Sequence, residues 1–147
     1  MYQRILVTTD GSELSDQAVA HALKLANALC AELLALRVVA PYPKTYFEGG
    51  VALAEEEVRR IEQQWHDDAM ESLHAIQAEG QKLGVKVRPL TVQSELIAEA
   101  IMAAAQQHKA DLIVMASHGR RGLKRLLLGS ETQQVLTHTS IPVLVLR

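Results

Sequence analysis

Five short runs rich in Ile, Leu and Val punctuate the chain, at residues 3–9, 32–39, 85–91, 111–116 and 142–146. The segments between them carry apolar residues at helical spacing. The run 111–116 (Asp-Leu-Ile-Val-Met-Ala) shows no apolar–polar alternation, the mark of a strand covered on both faces. Strand and helix patterns that alternate from end to end predict an α/β domain. With right-handed crossovers they give a doubly wound, five-stranded parallel sheet with helices on both faces. No repeat or low-complexity tract interrupts the alternation, so 1–147 reads as a single domain, in keeping with 147 residues of which 48% are apolar.

The helical segments have readable limits. Asp10-Gly11-Ser12 breaks the first strand, Ser12 is a candidate N-cap, and Glu13 and Asp16 fall in a first turn where the helix dipole favours carboxylates. Val19, Ala22, Leu23, Ala26 and Leu29 follow on one face. Residues 41–50 hold Pro41, Pro43, Gly49, Gly50, Tyr42, Tyr46 and Phe47 and read as a surface excursion. A helical pattern then runs over 51–83, about 50 Å at 1.5 Å per residue, with Gly80 and Gly84 marking its end. Ser94 is a candidate cap for a helix reaching Gln107. Ser130-Glu131-Thr132-Gln133 matches a capping box with Ser130 at N-cap, opening a helix to about His138.

Composition excludes several classes. A net charge of −2 and only five aromatics (three Tyr, one Trp, one Phe) leave little with which to hold nucleic acid. No apolar run approaches the ~18 residues of a membrane span. Cys30 alone makes no disulfide or multi-cysteine metal site and reads as a small core residue; the methionines likewise read as core filling. The first ten residues enter a strand without a signal-peptide layout, which makes the cytoplasm the expected location. Glu55-Glu56-Glu57 with Arg59-Arg60 reads as a solvated helix face with ion pairs three and four apart.

In a doubly wound sheet, ligands bind beyond the carboxyl ends of the strands, at the switch in strand order. The richest stretch there is the loop after the fourth strand. It holds His118, Gly119, Arg120, Arg121, Lys124 and Arg125 and delivers Gly129-Ser130 to a helix start. Helix-start amides bind anions, and glycines allow close backbone approach. The loop is therefore either a phosphate cradle or a glycine-punctuated turn with a solvated basic face. Asp10 is either a ligand-facing carboxylate or the pivot of an Asx turn before Gly11. A solvated His118 is as ordinary a reading as a contact.

These residues carry a resemblance to the universal stress protein family, over the whole length. It rests on the opening Ile-Leu-Val-Thr-Thr-Asp-Gly-Ser, the second strand ending Leu-Arg-Val-Val, and 111–147. The family's nucleotide motif is Gly, two residues, Gly, nine residues, Gly-Ser/Thr; here it reads Ala116, Gly119, Gly129-Ser130. Thr8 and Arg37 also depart, where Pro and His are common in the family. The resemblance implies strand order 3-2-1-4-5, an adenine-nucleotide-binding, cytoplasmic stress protein, and a homodimer paired through strand 142–146. Carried across by position, it places ATP or another adenine nucleotide against Thr8, Thr9, Asp10, Val38, Met115, Ala116, His118, Gly119, Arg120, Gly129, Ser130 and Glu131. Mg²⁺ would be shared with Asp10. Ala116 costs about 1–2 kcal/mol if its φ must be positive, and no backbone energy otherwise. A Val at 129 is expected to abolish binding by filling the phosphate's approach.

A Walker P-loop, a Gly-x-Ser-x-Gly elbow and a clustered-acid phosphoacceptor are all missing from the sequence. The expected function is a nucleotide-sensing module with little or no turnover. Slow ATP hydrolysis and a nucleotide-free dimeric scaffold are the alternatives, the scaffold favoured by Ala116.

Overall fold

The computed structural model describes residues 1–44, 53–119 and 127–147. Its elements, in order, are β1 (Arg4–Thr8), α1 (Glu13–Leu29), β2 (Glu32–Val39), α2 (Glu55–Lys82), β3 (Val87–Gln93), α3 (Ile97–Gln107), β4 (Leu112–Ala116), α4 (Ser130–His138) and β5 (Val143–Leu146). The strands form one parallel sheet in the order β3-β2-β1-β4-β5. This is the expected doubly wound architecture.

Strand parity divides the core into two layers. Ile5 and Val7 of β1, Leu33 and Ala35 of β2, and Leu112 and Val114 of β4 meet Ala18, Ala22, Leu23 and Ala26 of α1 and Leu73 of α2. Leu6, Leu34, Leu36, Ile113 and Met115 point the other way, onto Ala98, Ile101, Ala104 and Ala105 of α3 and Val135 of α4. Successive strand side chains alternate faces, so an unbroken apolar strand such as β4 feeds both layers at once. β1 and β4 are neighbours, but the helices that follow them lie on opposite faces. The strand order therefore reverses between β1 and β4, and above their carboxyl ends lies the place where doubly wound sheets carry their ligand cleft.

Several local expectations are corrected. β3 begins at Val87, two residues late, because Val87 is the partner of Leu33; as an edge strand it tolerates Pro89. α2 has 28 residues rather than about 33; positions 45–52, including most of the 41–50 excursion, lie outside the described residues. Gly80 lies inside α2 instead of ending it. A Cβ there would overlap Val87 Cγ2, so this glycine lets the helix approach β3. Gly84, at φ +71°, follows the helix end as expected. Cys30 is exposed rather than buried: it is the C-cap of α1, at φ 53°. Among the methionines Met1 is almost fully exposed, whereas Met115 is buried. Leu96, not Ser94, is the N-cap position of α3.

The amino ends of the strands are closed by charge. Glu32 receives Arg4 Nε at 3.1 Å, Lys86 Nζ at 3.2 Å and Arg88 Nη2 at 3.1 Å. Beside it, Asp111 accepts the amides of Gln3 and Arg4 at 2.8 and 3.0 Å. Burial pushes the Glu32 carboxyl up, but hydrogen bonds from Lys86 and Arg88 and their charges outweigh it and hold the group below its ordinary range. A depressed folded-state pKa stabilises above the unfolded value, about 4.3, and the benefit is lost as pH falls through the folded value. Glu32→Gln should therefore cost about 1 kcal/mol at pH 7, the cations being partly in water. Melting curves should show the wild-type advantage shrinking as pH falls through and below the ordinary carboxylate range. Equal melting temperatures at pH 7 would mean that the cluster contributes nothing.

Candidate functional site

The cleft is built from the loops after β1 and β4. After β1, buried Thr9 donates its amide to Leu36 O at 3.0 Å; its hydroxyl accepts from Gly11 N at 3.1 Å and pairs with Ser15 Oγ at 3.1 Å. Asp10 Oδ1 accepts from Ser12 N at 2.9 Å, which makes the Asx turn that was one of its two readings, with Gly11 at φ 76°. Ser12 then caps α1, accepting from Ser15 N at 3.3 Å. The start of α1 is thus closed by its own loop.

After β4 the main chain of two residues is fully used. Ser117 N donates to Leu146 O at 2.7 Å, Ser117 O accepts from Gly129 N at 2.7 Å, and Ala116 O accepts from Thr132 Oγ1 at 2.9 Å. These bonds bring the start of α4 back onto the end of β4. Ser117 Oγ and His118 Nδ1 lie 3.1 Å apart. The two loops also meet: a Cβ built on Gly119 would lie 2.6 Å from Asp10 Oδ2. Asp10 and Gly119 therefore share one spot above the cleft, and no larger residue fits at 119 with this carboxylate in place.

The capping box does not form. Gly129, at φ −62° and ψ 153°, is the N-cap, and Gln133 N donates to Gly129 O at 3.0 Å; Ser130 is the first helical residue, so its hydroxyl does not accept from Gln133. Among the described residues no side chain caps α4. Helix geometry then directs the amides of Ser130, Glu131 and Thr132 out of the helix start, without a main-chain partner among the described residues, at the positive end of the dipole.

The other named residues sort by face. Thr8 and Val38, two positions beyond Leu6 and Leu36, lie on the α3–α4 side, and Val38 packs against that layer. Met115 is committed to the same layer and leaves its main chain for other use. Ala116 is the last residue of β4, paired with Leu146. The non-glycine residues with positive φ among those described are Cys30 and Lys109, so Ala116 carries no left-handed strain. Arg120, with Arg121, Lys124 and Arg125, lies outside the described residues. Glu131 turns to α3, where its Oε2 accepts from Ala98 N at 3.0 Å. The sequence reading missed Thr132, which is 2% exposed and pins α4 to β4. Its signal was available: Thr132 lies three before buried Val135, on the inner face of the helix.

With this geometry in place, comparison with known proteins identifies the class. The universal stress protein family model matches residues 1–147, and the chain belongs to that family. Universal stress protein MJ0531 of Methanocaldococcus jannaschii is 33% identical over 149 residues, spanning all of this chain and 83% of the relative. The solved structure of MJ0577, from the same organism, is 30% identical with TM-score 0.83, covering 99% of this chain and 96% of its own. A universal stress protein solved in complex with cAMP shares the fold at TM-score 0.72 and 24% identity, covering 99% and 97%.

The geometry revises the reason for glycine at 129. Its Cβ would meet His118 Cα at 3.2 Å and Ser117 O at 3.3 Å, so a side chain there strikes the β4 loop. Gly129→Val should lower ligand-free stability by about 1–3 kcal/mol through overpacking, besides weakening any anion site. A ligand-free melting temperature equal to wild type would show that the 117–118 backbone yields freely.

Proposed function

We propose that this protein is a cytoplasmic nucleotide-sensing module that binds an adenine nucleotide, ATP in the first place, across the β1–β4 cleft with little or no turnover. The observation that carries the reading is the uncapped start of α4 beside the Asp10–Gly119 contact. Three outward amides at a dipole's positive end suit a phosphate, whereas the neighbouring α1 start is already capped. Thr8 and Val38 border the cleft on the α3–α4 side, in position to meet the nucleoside with main chain and small side chains. The cAMP held by a protein of the same fold supports an adenine nucleotide as the class of ligand. The extended conformation of Ala116 removes the backbone objection to its methyl.

Mg²⁺ fits this donor set. It is commonly held by one or two carboxylates together with substrate phosphates, and Asp10 provides one carboxylate at the loop junction. Bound there, the ion would screen Asp10 from the phosphates. Ser130 would donate its hydroxyl to a phosphate oxygen, a use compatible with its place outside the cap.

Two measurements test the proposal. Purified protein is denatured and its supernatant run on anion exchange with ultraviolet detection; Mg-ATP is then added while melting temperature and phosphate release are followed. Retained or stabilising nucleotide without sustained release is expected. Ligand at 100 times its Kd should add about 2.7 kcal/mol. Sustained release would replace the module with a slow hydrolase, and no stabilisation at millimolar Mg-ATP would leave the nucleotide-free scaffold.

The proposed homodimer pairs β5 with the antiparallel β5 of a second copy. β5 is an edge strand, and its Leu144 is 42% exposed; an apolar edge invites such pairing. Light scattering at micromolar concentration should give twice the mass of 16.2 kDa; a monomer rejects the dimer.

A further inference from the structure

Glu131 stands in the first turn of α4, yet its carboxylate serves another helix. Its Oε2 accepts from Ala98 N at 3.0 Å, across 33 residues of sequence. α3 has no cap of its own: Leu96 occupies the N-cap position without a side-chain bond. Ser94 Oγ, the nearest alternative, accepts instead from Leu96 N at 3.0 Å. Ala98 is 1% exposed, so water has little access to replace the carboxylate. One acidic group therefore lies between two helix starts and answers the dipole of both.

We propose that Glu131 is a positioning residue that sets the angle of the α4 start and couples its occupancy to the first turn of α3. The remaining ties on the α4 start, Gly129 N to Ser117 O and Thr132 Oγ1 to Ala116 O, both run to the end of β4. Val135, further along α4, packs into the α3 layer, but among the described residues no other hydrogen bond ties the first turn of α4 to α3. Glu131 supplies the third anchor from the opposite side, and so fixes where the amides of Ser130, Glu131 and Thr132 point. An anion bound by those amides holds the same turn. Its effect passes through Glu131 to Ala98 and to the adjoining Leu96 and Ile97, which are 58% and 36% exposed. Linkage makes the effect reciprocal. The coupling rests on the nucleotide reading of the α4 start; the tether itself does not.

Hydrogen exchange on the full-length protein, resolved by residue, separates the two. The Ala98 amide has no acceptor within its own helix, so its exchange rate reads the tether directly. In ligand-free protein, Glu131→Ala should speed Ala98 exchange at least about tenfold, the order expected for losing a hydrogen bond to a charged group. It should also weaken Mg-ATP binding roughly fivefold or more. Glu131→Gln, which keeps a carbonyl oxygen without the charge, should restore both. Mg-ATP should slow Ala98 exchange in wild type and in Glu131→Gln but not in Glu131→Ala. Equal ligand-free Ala98 exchange in wild type and Glu131→Ala overturns the tether. Protection of 130–132 by Mg-ATP with no change at Ala98 in wild type overturns the coupling. If Mg-ATP protects neither helix start and leaves melting unchanged, the nucleotide reading fails and the coupling with it, while the ligand-free comparison still decides the tether.

Discussion

The peptide groups of Ala116 and Ser117 hold the working end of this molecule together. Between them they bind the last strand through Leu146, the N-cap of α4 through Gly129, and a buried threonine of that helix through Thr132. Each bond lies where little water reaches, since Ala116, Ser117 and Thr132 are all buried. Leaving one such group unpaired costs about 1–3 kcal/mol. The chain therefore returns to this one place, and a residue without a side chain makes that return at the lowest cost to the 117–118 backbone. Glycine at 129 is favoured by the tight packing against residues 117 and 118; its φ of −62° is open to any residue.

That return leaves two helix starts in contrasting states. α1 is capped by Ser12 at the Ser15 amide, with the Asp10 turn and the Thr9–Ser15 pair beside it. α4 begins on a glycine that offers no side-chain acceptor. A cap residue would have satisfied the first turn within the chain; glycine both permits the close approach and leaves the amides outward. Glycine at 129 thus serves the closure of the fold and leaves the first turn of α4 without a side-chain cap. Asp10 bears on this because its carboxylate occupies the space a side chain at 119 would need. A negative group there disfavours an unscreened phosphate and favours one accompanied by a cation.

The architecture was legible in the sequence because strand parity and helix period are local signals, and β4 shows both layers in one apolar run. Asp10 as an Asx pivot and Ser12 as a cap were legible for the same reason. Ser130 was misplaced because Gly129 and Ser130 are both acceptable N-caps. A shift of one residue turns the serine from a cap into the first helical residue, and only the pull of Ser117 O on Gly129 N decides between them. Cys30 was read from the α1 periodicity as buried, but the helix ends there in a left-handed turn that carries its side chain outward. The conformation of Ala116 had to await the sheet, since its pairing with Leu146 keeps it in the strand. No local pattern could have joined Glu131 to Ala98.

The two ends of the sheet differ in how their polar groups are met. At the amino end the polar groups are matched within the chain: Glu32 is surrounded by Arg4, Lys86 and Arg88, and Asp111 takes two main-chain amides. Such closure stabilises but leaves little with which to bind. At the carboxyl end, parallel strands deliver successive helix starts to a common rim, and the reversal between β1 and β4 separates two of them across a cleft. Capping every start would make that rim as self-sufficient as the other. Here α1 takes a cap from its own loop through Ser12 and α3 takes one from Glu131 across the rim, whereas among the described residues the starts of α2 and α4 carry no side-chain cap.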